Sequence, residues 1–200
     1  MEQFEIRSFG GDAAPKLINE RRIEGYAAVF NQESKYFYDP VLRKCLIEII
    51  KPGAITEELL RTCDVKALVE HNIQRMIARC CNGAGSLMLG LDEFGMRYGL
   101  DAPNVEDGNY VVEMVRRGDF FGSSFAYRTD EKKNVKWSRR TDGILLREVF
   151  KIDYISDVSI VSNPAYLGTQ VNVRGIYDSF EHPDEAYKSE VNELRKLSKF

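Results

Sequence analysis

The chain has 200 residues, 44% of them apolar and 30% charged, which fits one folded domain with a real core and excludes a wholly disordered or fibrous chain. Its longest apolar runs fall well short of the ~20 residues that span a bilayer. Met1-Glu2-Gln3-Phe4-Glu5-Ile6-Arg7 is charged at once, without the apolar stretch of a secretory leader. A net charge of −3 argues against binding driven by nucleic-acid electrostatics.

Residues 1–20, with Gly10-Gly11 and Pro15, read as a loose arm carrying one edge strand at 3–8. The segment 22–30 has alternating apolar positions and reads as a strand, as does 44–50 after a polar loop. Pro52-Gly53 breaks the second strand, and 54–61 reads as a short helix with Ile55 and Leu59 one turn apart. A strand over 65–70 ends on His71, followed by polar Asn72-Ile73-Gln74. Segments 86–91 and 96–101 flank Asp92-Glu93-Phe94-Gly95 as a hairpin. A helix is expected over 107–117, with Arg116 and Arg117 at its C-terminal end and Gly118 closing it. Strands at 120–128, 144–152 and 157–161 follow, with a charged hairpin at 129–143. From about Ile176 the composition turns polar, and Tyr187, Val191 and Leu194 form a narrow apolar stripe on a helix. The expected organisation is an arm (1–20), a folded domain (21–175) and a tail (176–200). Eight or more short strands with few helices point to a β-rich α+β fold, a closed or nearly closed antiparallel barrel carrying helices.

The chemistry available is narrow. Histidine occurs only as His71 and His182, so a histidine-rich metal site is excluded and no cofactor is implied. A neutral-pH general base is expected at His71, because His182 lies in the polar tail. Gly122-Ser123-Ser124-Phe125 offers a serine on a small-residue strand, and a serine becomes a good nucleophile only when a base takes its proton. An acid is needed to orient the imidazole. Asp157 opens an apolar strand and suits that role, and Glu148 and Asp153 compete with it. Cys45, Cys63, Cys80 and Cys81 show no CxxC spacing and read as reduced thiols, small core residues in a cytosolic compartment. A cysteine hydrolase pairing His71 with Cys63, Cys80 or Cys81 is a further possibility.

Taken in order, Gly25-Tyr26-Ala27-Ala28-Val29-Phe30-Asn31, Glu48-Ile49-Ile50-Lys51-Pro52-Gly53-Ala54, Val65–Asn72, Gly122-Ser123-Ser124-Phe125-Ala126-Tyr127 and Asp157–Tyr166 resemble the prohead protease family of tailed bacteriophages. The resemblance covers roughly residues 22–174. It implies a fold like the herpesvirus assemblin protease, and a serine endopeptidase acting in an assembling procapsid in the host cytoplasm. The family's histidine matches His71, its nucleophile Ser124, and its acid, usually glutamate, Asp157. The sequence departs from the family at Ala126, where glycine is common, and at Asp157, one methylene shorter than glutamate. Implied substrates are the major capsid or scaffold protein and the protease itself. Self-association is a further expectation; nucleic acid and membrane are not expected as partners. The other reading is a catalytically inactive capsid assembly or scaffold factor with the same barrel.

Overall fold

The computed structural model describes residues 4–34, 36–39 and 44–163. In chain order, strands β1 (Glu5–Phe9), β2 (Lys16–Leu17), β3 (Arg22–Val29), β4 (Phe37–Asp39) and β5 (Lys44–Ile50) precede helix α1 (Glu57–Thr62). Strands β6 (Asp64–Val69), β7 (Asn72–Cys81), β8 (Ala84–Gly85), β9 (Leu87–Leu91) and β10 (Gly95–Asp101) follow. Helix α2 (Glu106–Arg117) then leads to β11 (Gly122–Arg128), β12 (Val135–Arg139), β13 (Leu145–Val149) and β14 (Tyr154–Val161).

Local chemistry sets the helix ends. In α1 the Thr56 side chain accepts from the Leu59 amide at 3.1 Å, and Glu57 and Glu58 face the positive end of the helix dipole. In α2, Glu106 and Asp107 lie in the first turn and Arg116 and Arg117 in the last, and Gly118 stops the helix at φ +79°. No helix among the described residues is long and apolar enough to cross a membrane.

The strands form three sheets, ordered β1-β11-β14-β6-β7-β8, β2-β3-β10-β9 and β12-β13-β5-β4. The β-rich fold with few helices is present, but no sheet closes on itself among the described residues, so three open sheets around one core stand where a closed or nearly closed antiparallel barrel was expected. Nor is pairing wholly antiparallel: β14 runs parallel to β6, and β13 parallel to β5. Strand count and alternation say nothing about which distant edges meet, and that is where the expectation failed. The edge strand expected at 3–8 is present at residues 5–9. They form β1, paired with β11 from Glu5↔Tyr127 to Phe9↔Ser123. The amphipathic helix expected in the tail and His182 lie outside the described residues.

Phe9, Ile23, Leu100, Phe125, Tyr127 and Ile155 are at most 1% exposed and bind the sheets together. Each such side chain contributes about 1.5–3 kcal/mol through burial. Gly25 in β3 permits one close approach. A Cβ there would lie 2.9 Å from the Tyr98 hydroxyl and 3.0 Å from Ser123 Oγ, where the second sheet meets the first.

Candidate active site

The site lies on one face of the largest sheet. Side chains two residues apart on a strand share a face. Cross-strand register places Ser124 opposite Ser159 and Ala126 opposite Asp157, so Ser124, Asp157 and Ser159 project from the same face. His71 reaches them from the turn between β6 and β7. Val69 pairs with Asn72 across that turn, which leaves Glu70 and His71 as its two central residues, both at φ +54°. Two-residue hairpin turns with positive φ favour Asn-Gly. Here two residues with full side chains hold that shape, a strain of order 1–2 kcal/mol each. The Glu70 amide bonds the Ile160 carbonyl at 3.1 Å, and its carboxylate accepts from the Ser162 amide at 2.8 Å, which clamps the turn onto β14.

The His71 ring bridges two strands. Nε2 is 2.6 Å from Ser124 Oγ, and Nδ1 is 2.6 Å from Asp157 Oδ1. Burial pushes the Asp157 carboxyl up, but the hydrogen bond and charge of His71, with the Ser156 and Ser159 hydroxyls, outweigh it and hold the carboxyl below the usual aspartate range. Asp157 is therefore an anion that can only accept, so Nδ1 carries the proton. In the neutral ring Nε2 is then the acceptor for Ser124 Oγ–H. Ser159 Oγ donates to Asp157 Oδ1 at 3.0 Å and lies 3.2 Å from Nδ1; Ser156 Oγ donates to Oδ2 at 2.8 Å. The carboxylate is thus fixed on both oxygens. This arrangement can move a proton from a serine hydroxyl to an imidazole that an anion holds in one tautomer.

Ser124 is fully buried, between the His71 ring and β1. Ser8 pairs with Ser124, its hydroxyl donating to Ser124 Oγ at 2.8 Å, and the Arg7 carbonyl oxygen is 2.9 Å from the same Oγ. The one Ser124 proton thus has two acceptors within reach, Nε2 and the Arg7 carbonyl. Ser123 points the other way. Its hydroxyl donates to the Ala13 carbonyl at 2.9 Å, and Tyr98 Oη lies 2.9 Å away.

The chain matches the caudovirus prohead serine protease family over residues 12–183. It belongs to that family. Among solved structures, the bacteriophage T4 capsid assembly protease gp21 is similar at 12% identity and a TM-score of 0.46, over 81% of this chain and 98% of that one. No curated protein matches.

In this prohead protease family member, the acids competing with Asp157 lie elsewhere. Glu148 is on β13 in another sheet, 3.4 Å from Lys51 Nζ, and Asp153 accepts from the Asp130 amide and Asn134 Nδ2. Among the cysteines, Cys63 and Cys80 are buried and Cys45 and Cys81 half-buried, and none forms a disulfide among the described residues. Burial pushes the Cys63 and Cys80 thiols up, the wrong direction for a thiolate nucleophile. Ser8, Ser156 and Ser159 were not singled out from sequence. Ser159 stands two residues after Asp157, a same-face spacing that marks it once Asp157 is chosen. Ser8 carries no such signal, because its place depends on which edge β1 joins.

On the inner face of β1 lies a buried ion cluster. Arg7 Nε and Nη2 bond Glu48 Oε1 and Oε2 at 2.7 and 2.8 Å. Glu48 also accepts from Arg147 and from Tyr127 Oη, and Arg147 Nη2 donates to Glu5 Oε1 at 2.9 Å. Burial opposes the Glu48 charge, but Arg7 and Arg147 override it and keep the carboxyl low; for Glu5 burial prevails and the carboxyl is raised.

Proposed function

We propose that this chain is a serine endopeptidase that cleaves capsid or scaffold protein during procapsid maturation in the host cytoplasm, with Ser124 as nucleophile, His71 as base and Asp157 as the acid that orients it. The observation carrying this reading is the His71 ring spanning Ser124 and Asp157 at 2.6 Å on each side. Ser124 Oγ bonds to the scissile carbonyl carbon as Nε2 takes its proton. The C–N bond then breaks, and Nε2 returns the proton to the leaving amine. Water, deprotonated by the same nitrogen, releases the acyl group and restores the serine. Asp157 stays ionised throughout and stabilises the imidazolium.

Because β1 lies against Ser124, a substrate strand added to the β11 edge takes the place of residues 7–8. The peptide bond already against Ser124 is the chain's own Arg7–Ser8 bond, which supports the chain itself as a second substrate. Co-expression of the full chain with its capsid or scaffold protein tests the proposal. Processing is expected with the parent chain and absent with His71→Ala, since loss of a triad member costs several orders of magnitude. Equal processing by both would remove His71 from the mechanism. No processing by either would favour the assembly-factor reading.

A further inference from the structure

Residues 5–9 occupy the sheet edge beside the candidate nucleophile as an extended strand, which makes them a record of what that edge accepts. An extended peptide added to a sheet edge gains affinity from its main chain and selectivity from alternate side chains. The alternate side chains of β1 that face inward are Glu5, Arg7 and Phe9, and Arg7 belongs to the carbonyl that contacts Ser124 Oγ.

The setting of Arg7 resembles a specificity pocket more than a strut. Its guanidinium forms a paired bond with the fully buried Glu48 carboxylate, the Phe37 ring centre is 4.8 Å from its Cζ, and the residue is only 6% exposed. A planar cation is thus read by a planar anion and an aromatic face, a combination that favours arginine. Two residues earlier, Glu5 meets Arg147, and two residues later Phe9 packs in the core with Phe125.

The charges also permit exchange. Glu5 and Arg7 carry opposite signs, so β1 departs as a neutral pair, and Glu48 keeps Arg147 and Tyr127 as partners. A replacing strand with a neutral or acidic residue at the Arg7 position would leave a buried carboxylate short of two hydrogen bonds. We infer that the Glu48 cradle is the primary specificity pocket of the protease and selects a basic residue, arginine above lysine, on the acyl side of the cut bond. This rests on the reading of Ser124 as nucleophile.

The test uses the full chain and an eight-residue peptide spanning positions 4–11, with arginine, lysine, glutamine or glutamate at the position of Arg7. The arginine peptide is expected to be cut at least tenfold faster, by kcat/KM, than the glutamine peptide, and the glutamate peptide not at all. Glu48→Gln should shrink the arginine-to-glutamine ratio to below threefold. Because that variant removes a buried charge and can fail to fold, the parent chain's cut in its capsid or scaffold protein is also mapped by mass spectrometry. A basic residue on the acyl side of that cut supports the inference. Equal cutting of all four peptides, or an acidic or apolar residue at the mapped cut, overturns it. If neither peptide nor protein is cut, the endopeptidase reading fails with it.

Discussion

Exchanging each of two adjacent serines for alanine should show which of them carries the chemistry. Ser123 and Ser124 are both fully buried, but their hydroxyls serve opposite faces of β11. Ser123→Ala removes the acceptor of Tyr98 Oη–H and the donor to the Ala13 carbonyl, and Tyr98 is only 3% exposed, so water does not readily replace the lost partner. An unpaired buried polar group costs about 1–3 kcal/mol. For a domain of this size each kcal/mol lowers Tm by roughly 2–4 °C, so a fall of about 2–12 °C is expected in a calorimetric scan. Cleavage of the capsid or scaffold protein at 25 °C should stay within a few-fold of the parent. Ser124→Ala leaves the buried Ser8 hydroxyl without its acceptor, so its Tm should fall by a similar amount, but it should lose cleavage by about 10⁴-fold or more. If folded Ser123→Ala is inactive while Ser124→Ala cleaves, the face assignment of β11 and the chemistry built on it are wrong.

Asp157→Asn should slow cleavage by about a hundredfold or more, as in other triads, while Glu148→Gln, which loses only the Lys51 pairing, should stay near the parent rate; the reverse ranking in a timed processing assay would transfer the role to Glu148. Ser159→Ala should lower kcat by about tenfold with KM unchanged, because a loosened carboxylate misplaces the imidazole rather than the substrate; a change confined to KM would argue against that positioning role. The Asp157 carboxyl titrates lower in the folded chain than the ~3.9 of free aspartate. Its stabilising contribution is therefore complete above about pH 4 and drains away as pH falls through the lowered folded value. Urea midpoints measured on the acid side should fall less steeply for Asp157→Asn than for the parent, and equal slopes would contradict the shift.

Much of the local structure was legible because it rests on local chemistry. The alternation of β3 and β5, the hairpin around Asp92-Glu93-Phe94-Gly95, and the charged ends and closing glycine of α2 all follow from neighbouring residues. The ten-residue strand β7 is not announced by the sequence, because the turn before it places Glu70 and His71 at positive φ without the asparagine or glycine that usually marks such a turn. Asp157 and Glu148 were hard to separate by alternation, which gives a face within a strand but not the sheet the strand joins. Parallel pairing of β13 with β5 carries Glu148 into another sheet, while β14 beside β11 brings Asp157 to His71. The same dependence on distant pairing hid the cover over Ser124. An edge strand near the start is legible in the sequence, but only the β1–β11 ladder puts Ser8 and the Arg7 carbonyl on the hydroxyl.

The proposed chemistry requires His71 to make Ser124 a nucleophile. A fluorophosphonate bonds covalently to a serine only when a base removes its proton. The full chain, in a preparation that processes its capsid or scaffold protein, would be treated with such a reagent, digested and mapped by mass spectrometry. A single adduct is expected on Ser124, and it should disappear in His71→Ala. An adduct on Ser123 or elsewhere, or an unlabelled Ser124 in a chain that cleaves its substrate, would contradict it.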